Sequence, residues 1–474
     1  MDMTMFYYIV AAIALAAMTG LARSRRLVVS FASVFFVMQA AFAVWSVTAG
    51  AGVQSAQFFT FDATGTLFMV LMAIVSPFAF VHSFDYLRDN NLPEFRLYNM
   101  LMVLLCTAVS AVYFANNIAV TWIFLEATTI CAAGIIYHRR SPETLEATWK
   151  YIFVCSTGIA MAYLGVLILS SAAHEGSLSY ESLREAVAHC NPLYLKIAFL
   201  LVLAGYSCKM EIFPLYTIGV DANFAAPAPA ASLISTVLVN AGFVAILRVY
   251  RLMAVSVVFE WVQSVLVLAG VVSLVIGALF LRRTNNYKRF LSYSTVENMG
   301  IAAIGLGIGG VAAWAAVLHV AAHTLIKSSM FLQIGVVRSI YDGYRINRLG
   351  DYMQLNRVGA AGLMLGALAL LAFPPSPLFV SELMILRQTM GEGQWWLVAV
   401  IFLLLCIVIY SIFSRVIKLC YQPNQSPTRK SEHATWLSWS AFSLLAVAFV
   451  VGLTMPEWRH ASSGSLGARS TQKL

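Results

Sequence analysis

Residues 203–236 read LAGYSCKMEIFPLYTIGVDANFAAPAPAASLIST. Lys209 and Glu211 lie inside an apolar segment, Pro214 interrupts it, and Pro227 and Pro229 open the next one. An ammonium at bilayer depth is costly unless it faces a polar interior, and a membrane helix breaks only where a cavity or neighbouring protein satisfies the freed backbone groups. A plain anchor needs neither feature. A lysine beside a broken helix therefore marks a candidate ion pathway.

The rest of the chain sets that stretch in a membrane. Of 474 residues, 60% are hydrophobic and 11% charged, with a mean hydropathy of +0.80, which excludes a soluble domain. Apolar runs long enough to cross about 30 Å of hydrocarbon recur along the sequence, and we count fourteen. The predicted fold is an all-α polytopic membrane protein of about fourteen transmembrane helices.

A formal charge of +9 would suggest nucleic acid in a soluble protein. Here it is read by the side of the membrane on which each charge falls. Loops after odd-numbered spans hold 20 of the 30 Lys and Arg residues, from Arg23, Arg25 and Arg26 through to Arg429 and Lys430; opposite loops and the tail hold 7. This places both termini outside. The first apolar run lacks a small-residue cleavage site and its charges follow it, so it is expected to remain as span 1 and not to be cleaved as a signal peptide. The seven cysteines are scattered, with no C-x-x-C, so no iron–sulfur or nickel site and no other cofactor is expected on this chain.

Buried titratable residues then appear in a definite order. Glu126 sits mid-span in AVTWIFLEATTICAAGIIYHRR; it is either an acid bonded to the hydroxyl of Thr128 or Thr129, or the partner of Lys150 in EATWKY, where opposite charges would offset each other's desolvation. The polar stretch near 172–195 reads as a surface amphipathic piece, with His174 and His189 solvated. Asn240 is the strong hydrogen-bonding side chain near mid-depth of span 8. Glu297 falls near the start of span 10 and is either a helix cap or a buried acid. In WAAVLHVAAHTLIKSSMFLQIG, His319, His323 and Lys327 stand at i, i+4 and i+8, along one helical face. Three titratable groups on one stripe of a membrane helix fit a proton relay; zinc held by the two histidines is the lesser alternative.

Span 12 repeats the device of span 7. LLAFPPSPLFVSELMIL places Pro374, Pro375 and Pro377 in mid-membrane, with Glu382 five residues after the last. Spans 4–8 and 9–13 each hold five segments, and the break falls in the fourth of each. Five is odd, so the second set enters from the opposite side and the two repeats are inverted. The expected organisation is residues 1–96 as N-terminal spans 1–3, 97–252 as the first repeat, 253–420 as the second, and 421–474 as span 14 with a polar tail.

The segments FLEATT, LAGYSCKMEIFPL, the loop from Asp221 to Pro229, LSYSTVENMG, LHVAAHTLIKSSMF and FPPSPLFVSE carry a resemblance. From about residue 60 to 420 the chain resembles the proton-translocating antiporter-like subunits shared by respiratory complex I, Mrp cation/proton antiporters and membrane-bound group 4 hydrogenases. EATT with EATWKY, YSTVENMGI and FPPSPLFVSE look most similar to hydrogenase-4 component F and the formate hydrogenlyase type. The resemblance implies a non-catalytic, proton-translocating membrane subunit of a redox-driven oxidoreductase complex in a bacterial or archaeal cytoplasmic membrane; the alternative is a stand-alone or Mrp-type cation/proton antiporter subunit. Partners would be other membrane and peripheral subunits, hydrogenase-like and iron–sulfur, with protons or sodium as the ion, the lipid bilayer around it, and no nucleic acid. Carried over, Glu126 and Lys150 form a first acid–base pair, Lys209 is the broken-helix lysine, His319, His323 and Lys327 are the second relay, and Glu382 is the terminal acid. Asn240, Glu297, Pro214 and Pro375 support them. The chain departs from the pattern at Asn223 and Ala225, where the family loop usually offers His and Glu, and at Asn240, where complex I members often carry Lys or His. It also ends at Leu474, before the long lateral helix that some relatives append.

Overall fold

With no water in the hydrocarbon layer, each spanning segment must satisfy its own backbone, and the apolar runs accordingly fold as helices. The computed structural model of the chain describes residues 2–172, 177–341, 343–429 and 433–454; His174 and the tail from residue 455 lie outside the described residues. The described chain divides into two compact units, Met1–Phe259 and Glu260–Leu474.

The first unit contains α1 (Thr4–Leu21), α2 (Arg25–Thr48), α3 (Ala63–Tyr86), α4 (Leu92–Phe114), α5 (Ile118–Ile136), α6 (Pro142–Ala172), α7 (Tyr180–His189), α8 (Pro192–Met210), α9 (Thr217–Ala225), α10 (Ala228–Leu233) and α11 (Val239–Met253). A hairpin of β1 (Gln54–Ser55) and β2 (Phe59–Thr60) joins α2 to α3. The second unit holds α12 (Phe259–Arg283), α13 (Tyr287–Ile308), α14 (Gly310–Ile340), α15 (Tyr352–Leu355), α16 (Arg357–Leu370), α17 (Pro377–Gly391), α18 (Trp395–Tyr421) and α19 (Ala434–Thr454). Several starts are written in the sequence: Ser24, Asp62, Asn91, Asn117 and Asn286 each accept a backbone N–H of the first turn, satisfying donors that the helix itself leaves open.

Among the described residues twelve helices are long and apolar enough to cross a membrane. Two further segments of the sequence count differ for physical reasons. The 22-residue α13 carries Lys288, Arg289 and Glu297, and the proline-broken span is divided into α16, of 14 residues, and α17, of 15. The polar stretch after α6 does fold as a short amphipathic helix, α7, with Leu183 and Val187 turned inward.

The expected interruption in the first unit falls where the sequence puts it. Helix α8 stops at Met210, Glu211 takes a left-handed cap conformation (φ 59°, ψ 37°), Pro214 lies in the gap, and α9 and α10 follow as short pieces. Unexpected from sequence, the backbone from Ile234 to Leu238 widens to a π turn between α10 and α11, a distortion often found at functional sites. Every residue from Ala228 to Leu238 is buried, so protein and not lipid covers the irregular backbone.

Close helix packing depends on missing side chains. A Cβ on Gly205 of α8 would stand 2.3 Å from the carbonyl oxygen of Gly158 on α6 and 2.7 Å from Ala162. One on Gly242 of α11 would stand 2.5 Å from the Met210 nitrogen. Small residues here bring α6 and α11 backbone to backbone against the end of α8.

Arg248, in the second half of α11, is largely buried. It donates to the carbonyls of Val112, Tyr113 and Ala115 at the end of α4 and pairs with Asp62, the α3 cap, at 3.4 Å. One guanidinium thus satisfies the open end of α4 and ties it to the start of α3.

Gly205→Ala is expected to force α6 from α8, at a cost of about 1–3 kcal/mol for overpacking. A lowered unfolding temperature of the purified chain in detergent checks it; unchanged melting would show that α6 and α8 have room to separate.

Candidate functional site

In the first unit three helices converge on one ammonium. Lys209, in the last turn of α8, is 2% exposed. Its Nζ donates to Thr129 Oγ1 at 2.8 Å and to the Tyr151 hydroxyl at 3.2 Å, and lies 5.1 Å from the Tyr151 ring centre. Thr129 is one helical turn from Glu126 on α5, and its hydroxyl donates to Glu126 Oε2 at 3.3 Å. Ser156 of α6 donates to the other carboxylate oxygen at 2.9 Å. Glu126 also borders a cavity of about 280 Å³ with Thr129, Tyr137, Thr148 and Ser156 in its lining. The result is a hydrogen-bonded row from Glu126 through Thr129 to Lys209 and Tyr151.

That row revises one expectation. Lys150 is half exposed and pairs with Glu146, four residues earlier, at 2.5 Å, while the hydrogen bonds shown at Glu126 come from Thr129 and Ser156. The reason is helical phase: on α6 the residue turned inward is Tyr151, and its neighbour Lys150 points away. The Thr129 hydroxyl links Glu126 to Lys209.

Past the break, Glu211 is buried and accepts from Asn223 Nδ2 of α9 at 2.9 Å. Asn240 is fully buried on α11, beside the Tyr113 hydroxyl. Glu211, Thr129 and Tyr151 were not singled out from sequence as relay residues. Thr129 was signalled only by its i+3 spacing from Glu126; Tyr151 gives no sign apart from its adjacency to Lys150.

The second unit centres on α14, which is enclosed by α13, α16, α17 and α19. His319, His323 and Lys327 are fully buried on it. His319 Nδ1 lies 3.0 Å from Ser381 Oγ. The Ser381 hydroxyl also donates to the Leu378 carbonyl, and the His319 ring lies against the Asn298 backbone as well. Among the described residues, His319 Nε2 and both ring nitrogens of His323 have no hydrogen-bond partner. The charge of Lys327 acts on both His323 and Glu297.

Glu297 is not the cap of its helix. α13 begins ten residues earlier, at Tyr287 with Asn286 as its cap, and Glu297 lies buried in mid-helix, accepting from Asn298 Nδ2 at 2.6 Å. Gly277 of α12 leaves the space it occupies: a Cβ there would come within 2.6 Å of it. Glu382 follows the second break, adjacent to Ser381 in the second turn of α17, where it is 9% exposed. Pro375 lies in the break itself. Ser376 fastens the two halves, donating to Ala369 of α16 and accepting from the Leu378 N–H that opens α17. Among the described residues no three His, Cys, Asp or Glu side chains are grouped to hold a metal ion.

The arrangement is a set of buried proton donors and acceptors positioned on helices and at two helix breaks. Comparison with known proteins follows the same lines. A family model described as NADH:quinone oxidoreductase/Mrp antiporter, transmembrane, matches residues 115–408. The chain is 28% identical over 380 residues to a hydrogenase-4 component F homolog from Methylacidiphilum infernorum, covering 77% of this chain and 78% of that one. Its fold superposes with a TM-score of 0.82 on a subunit of an archaeal membrane-bound sulfane sulfur reductase (23% identity, 94% of this chain and 92% of that one), and with 0.80 on one of respiratory complex I from Thermus thermophilus (19% identity, 95% and 97%). The chain is a multi-pass membrane protein that belongs to the NADH:quinone oxidoreductase/Mrp antiporter transmembrane family.

Proposed function

We propose that the chain is the proton-translocating membrane subunit of a redox-driven complex of the hydrogenase or complex I kind, and that each compact unit carries its own buried proton site. The observation that carries this reading is the hydrogen-bonded row Glu126–Thr129–Lys209–Tyr151 at a broken helix. A buried ammonium and a carboxylate joined by a hydroxyl exchange a proton with little atomic movement, and the proton affinity of each depends on the charge of the other. In the second unit, Lys327, His323 and His319 form the relay, Glu297 supplies counter-charge, and Glu382 is the acid beyond the second break. Imidazole nitrogens accept and donate protons but do not supply the oxygen cage that sodium requires, which favours protons as the ion.

The finer architecture belongs to this proposal. α8 to α10 and α16 to α17 are read as corresponding broken spans of two inverted five-helix repeats, 97–252 and 253–420, within about fourteen crossings with both termini outside. Neighbouring membrane subunits and peripheral iron–sulfur subunits would supply the redox chemistry. Lys150, half exposed and paired with Glu146, is assigned a minor part in the relay.

The reading is tested in membrane vesicles from the source organism by measuring proton pumping at fixed redox turnover. Lys209→Ala is expected to abolish pumping; normal pumping would sink the assignment. Thr129→Val removes the bridging hydroxyl at equal volume and should slow proton transfer about ten-fold, the effect of roughly 1.4 kcal/mol from one lost hydrogen bond. Thr129→Ser should restore it, and Lys150→Ala should change pumping less than about five-fold, as expected for an exposed ion pair worth about 0–1 kcal/mol. If Lys150→Ala instead equals Thr129→Val, the hydroxyl bridge is not the route. In the second unit, His323→Ala is expected to stop pumping, whereas a structural histidine would lower only the amount of assembled protein.

A further inference from the structure

We infer that Glu211 is a second proton-holding carboxylate of the first unit, taking the proton that leaves Lys209. This rests on the reading of Lys209 as a relay residue and adds a site that reading does not contain. Glu211 occupies the position after the last turn of α8 with φ 59° and ψ 37°. A glycine fits that cap without strain, whereas a residue with a Cβ is strained there. The side chain is also buried, at 2% exposure, and desolvating a carboxylate adds a further cost. Its place is nonetheless closely fitted. Asn223 Nδ2 donates to Oε1 at 2.9 Å, and a Cβ on Gly219 would fall 2.3 Å from its carboxyl carbon. The cap itself needs none of this.

The surroundings give the carboxylate a use. Its charge acts on Tyr151, whose hydroxyl accepts from the Lys209 ammonium. Glu126 is reached from Lys209 through Thr129, and Glu211 stands two residues beyond Lys209, at the break itself. Asn223 and Ala225 of α9 cannot take up a proton; the other acid of that segment is Asp221, which is half-buried where Glu211 is fully buried. In the transfer, Lys209 passes from ammonium to amine and Glu211 from carboxylate to carboxylic acid; one proton moves and no other reactant takes part.

Glu211→Gln tests this, because glutamine keeps the volume and still accepts the Asn223 hydrogen bond but cannot be protonated. With the chain assembled among its partner subunits in native membranes, pumping per redox turnover is expected to fall at least ten-fold at unchanged assembly. Pumping at the unsubstituted level would overturn the role of Glu211. Lys209→Ala, measured in parallel, separates the two claims: loss there with retention in Glu211→Gln overturns Glu211 alone, and retention in Lys209→Ala overturns the relay reading beneath it. If Glu211→Gln fails to assemble, Glu211→Gly relieves the left-handed cap and replaces it. An assembled but non-pumping Glu211→Gly supports the inference, and a pumping one refutes it.

Discussion

The Lys209 ammonium sets the terms for the first unit. In a bilayer-spanning bundle a positive charge persists only when oxygen atoms and π faces replace the water it has lost. Here those are Thr129 Oγ1 and the Tyr151 hydroxyl and ring, on two different helices. Both must come within about 3 Å, and the glycine contact between α6 and α8 makes that possible: Gly158 and Gly205 bring the backbones together a turn from Lys209. The break serves the same end. Stopping α8 at Met210 leaves the lysine in the last helical turn, where the negative end of the helix dipole favours a cation.

The two units solve the burial of charge differently. The first is joined by hydrogen bonds from side chain to side chain. In the second, Nε2 of His319 and both nitrogens of His323 find no protein partner among the described residues, although their side chains are fully buried. A buried polar atom without a hydrogen bond costs about 1–3 kcal/mol. Unbonded imidazole nitrogens on one stripe suit proton transfer better than a fixed contact, because each can accept and donate.

Much of this was legible in the sequence because it rests on helical period and on proline. The break after Lys209, the break around Pro375 and the His319–His323–Lys327 stripe depend only on residue type and spacing along one helix. What depends on the rotation of one helix against another was not legible. The six-residue string EATWKY offers Lys150 as a charged partner, but a 100° step per residue decides whether Lys150 or Tyr151 faces the core, and packing sets that phase. Arg248 was hidden in the same way: it looks like a loop charge until α4 is seen to end beside it. Glu297 looked like a possible cap because the apolar run begins after it, whereas the helix begins at Asn286 through polar and basic residues that the apolar pattern does not mark.

The departures in the α9 loop also acquire a physical sense. Asn223 and Ala225 leave Asp221 as the titratable residue of α9, which from sequence alone looks like a gap in the proton route at those two positions. In the folded chain Asn223 is not idle: it donates to the carboxylate of Glu211, which the left-handed turn directs over Gly219. An acid at that cap is strained by its Cβ and opposed by the helix dipole, which disfavours an anion at a C-terminus. Lys209 stands two residues before it, in the last turn of α8. Asn223 holds the acid in place without itself taking a proton.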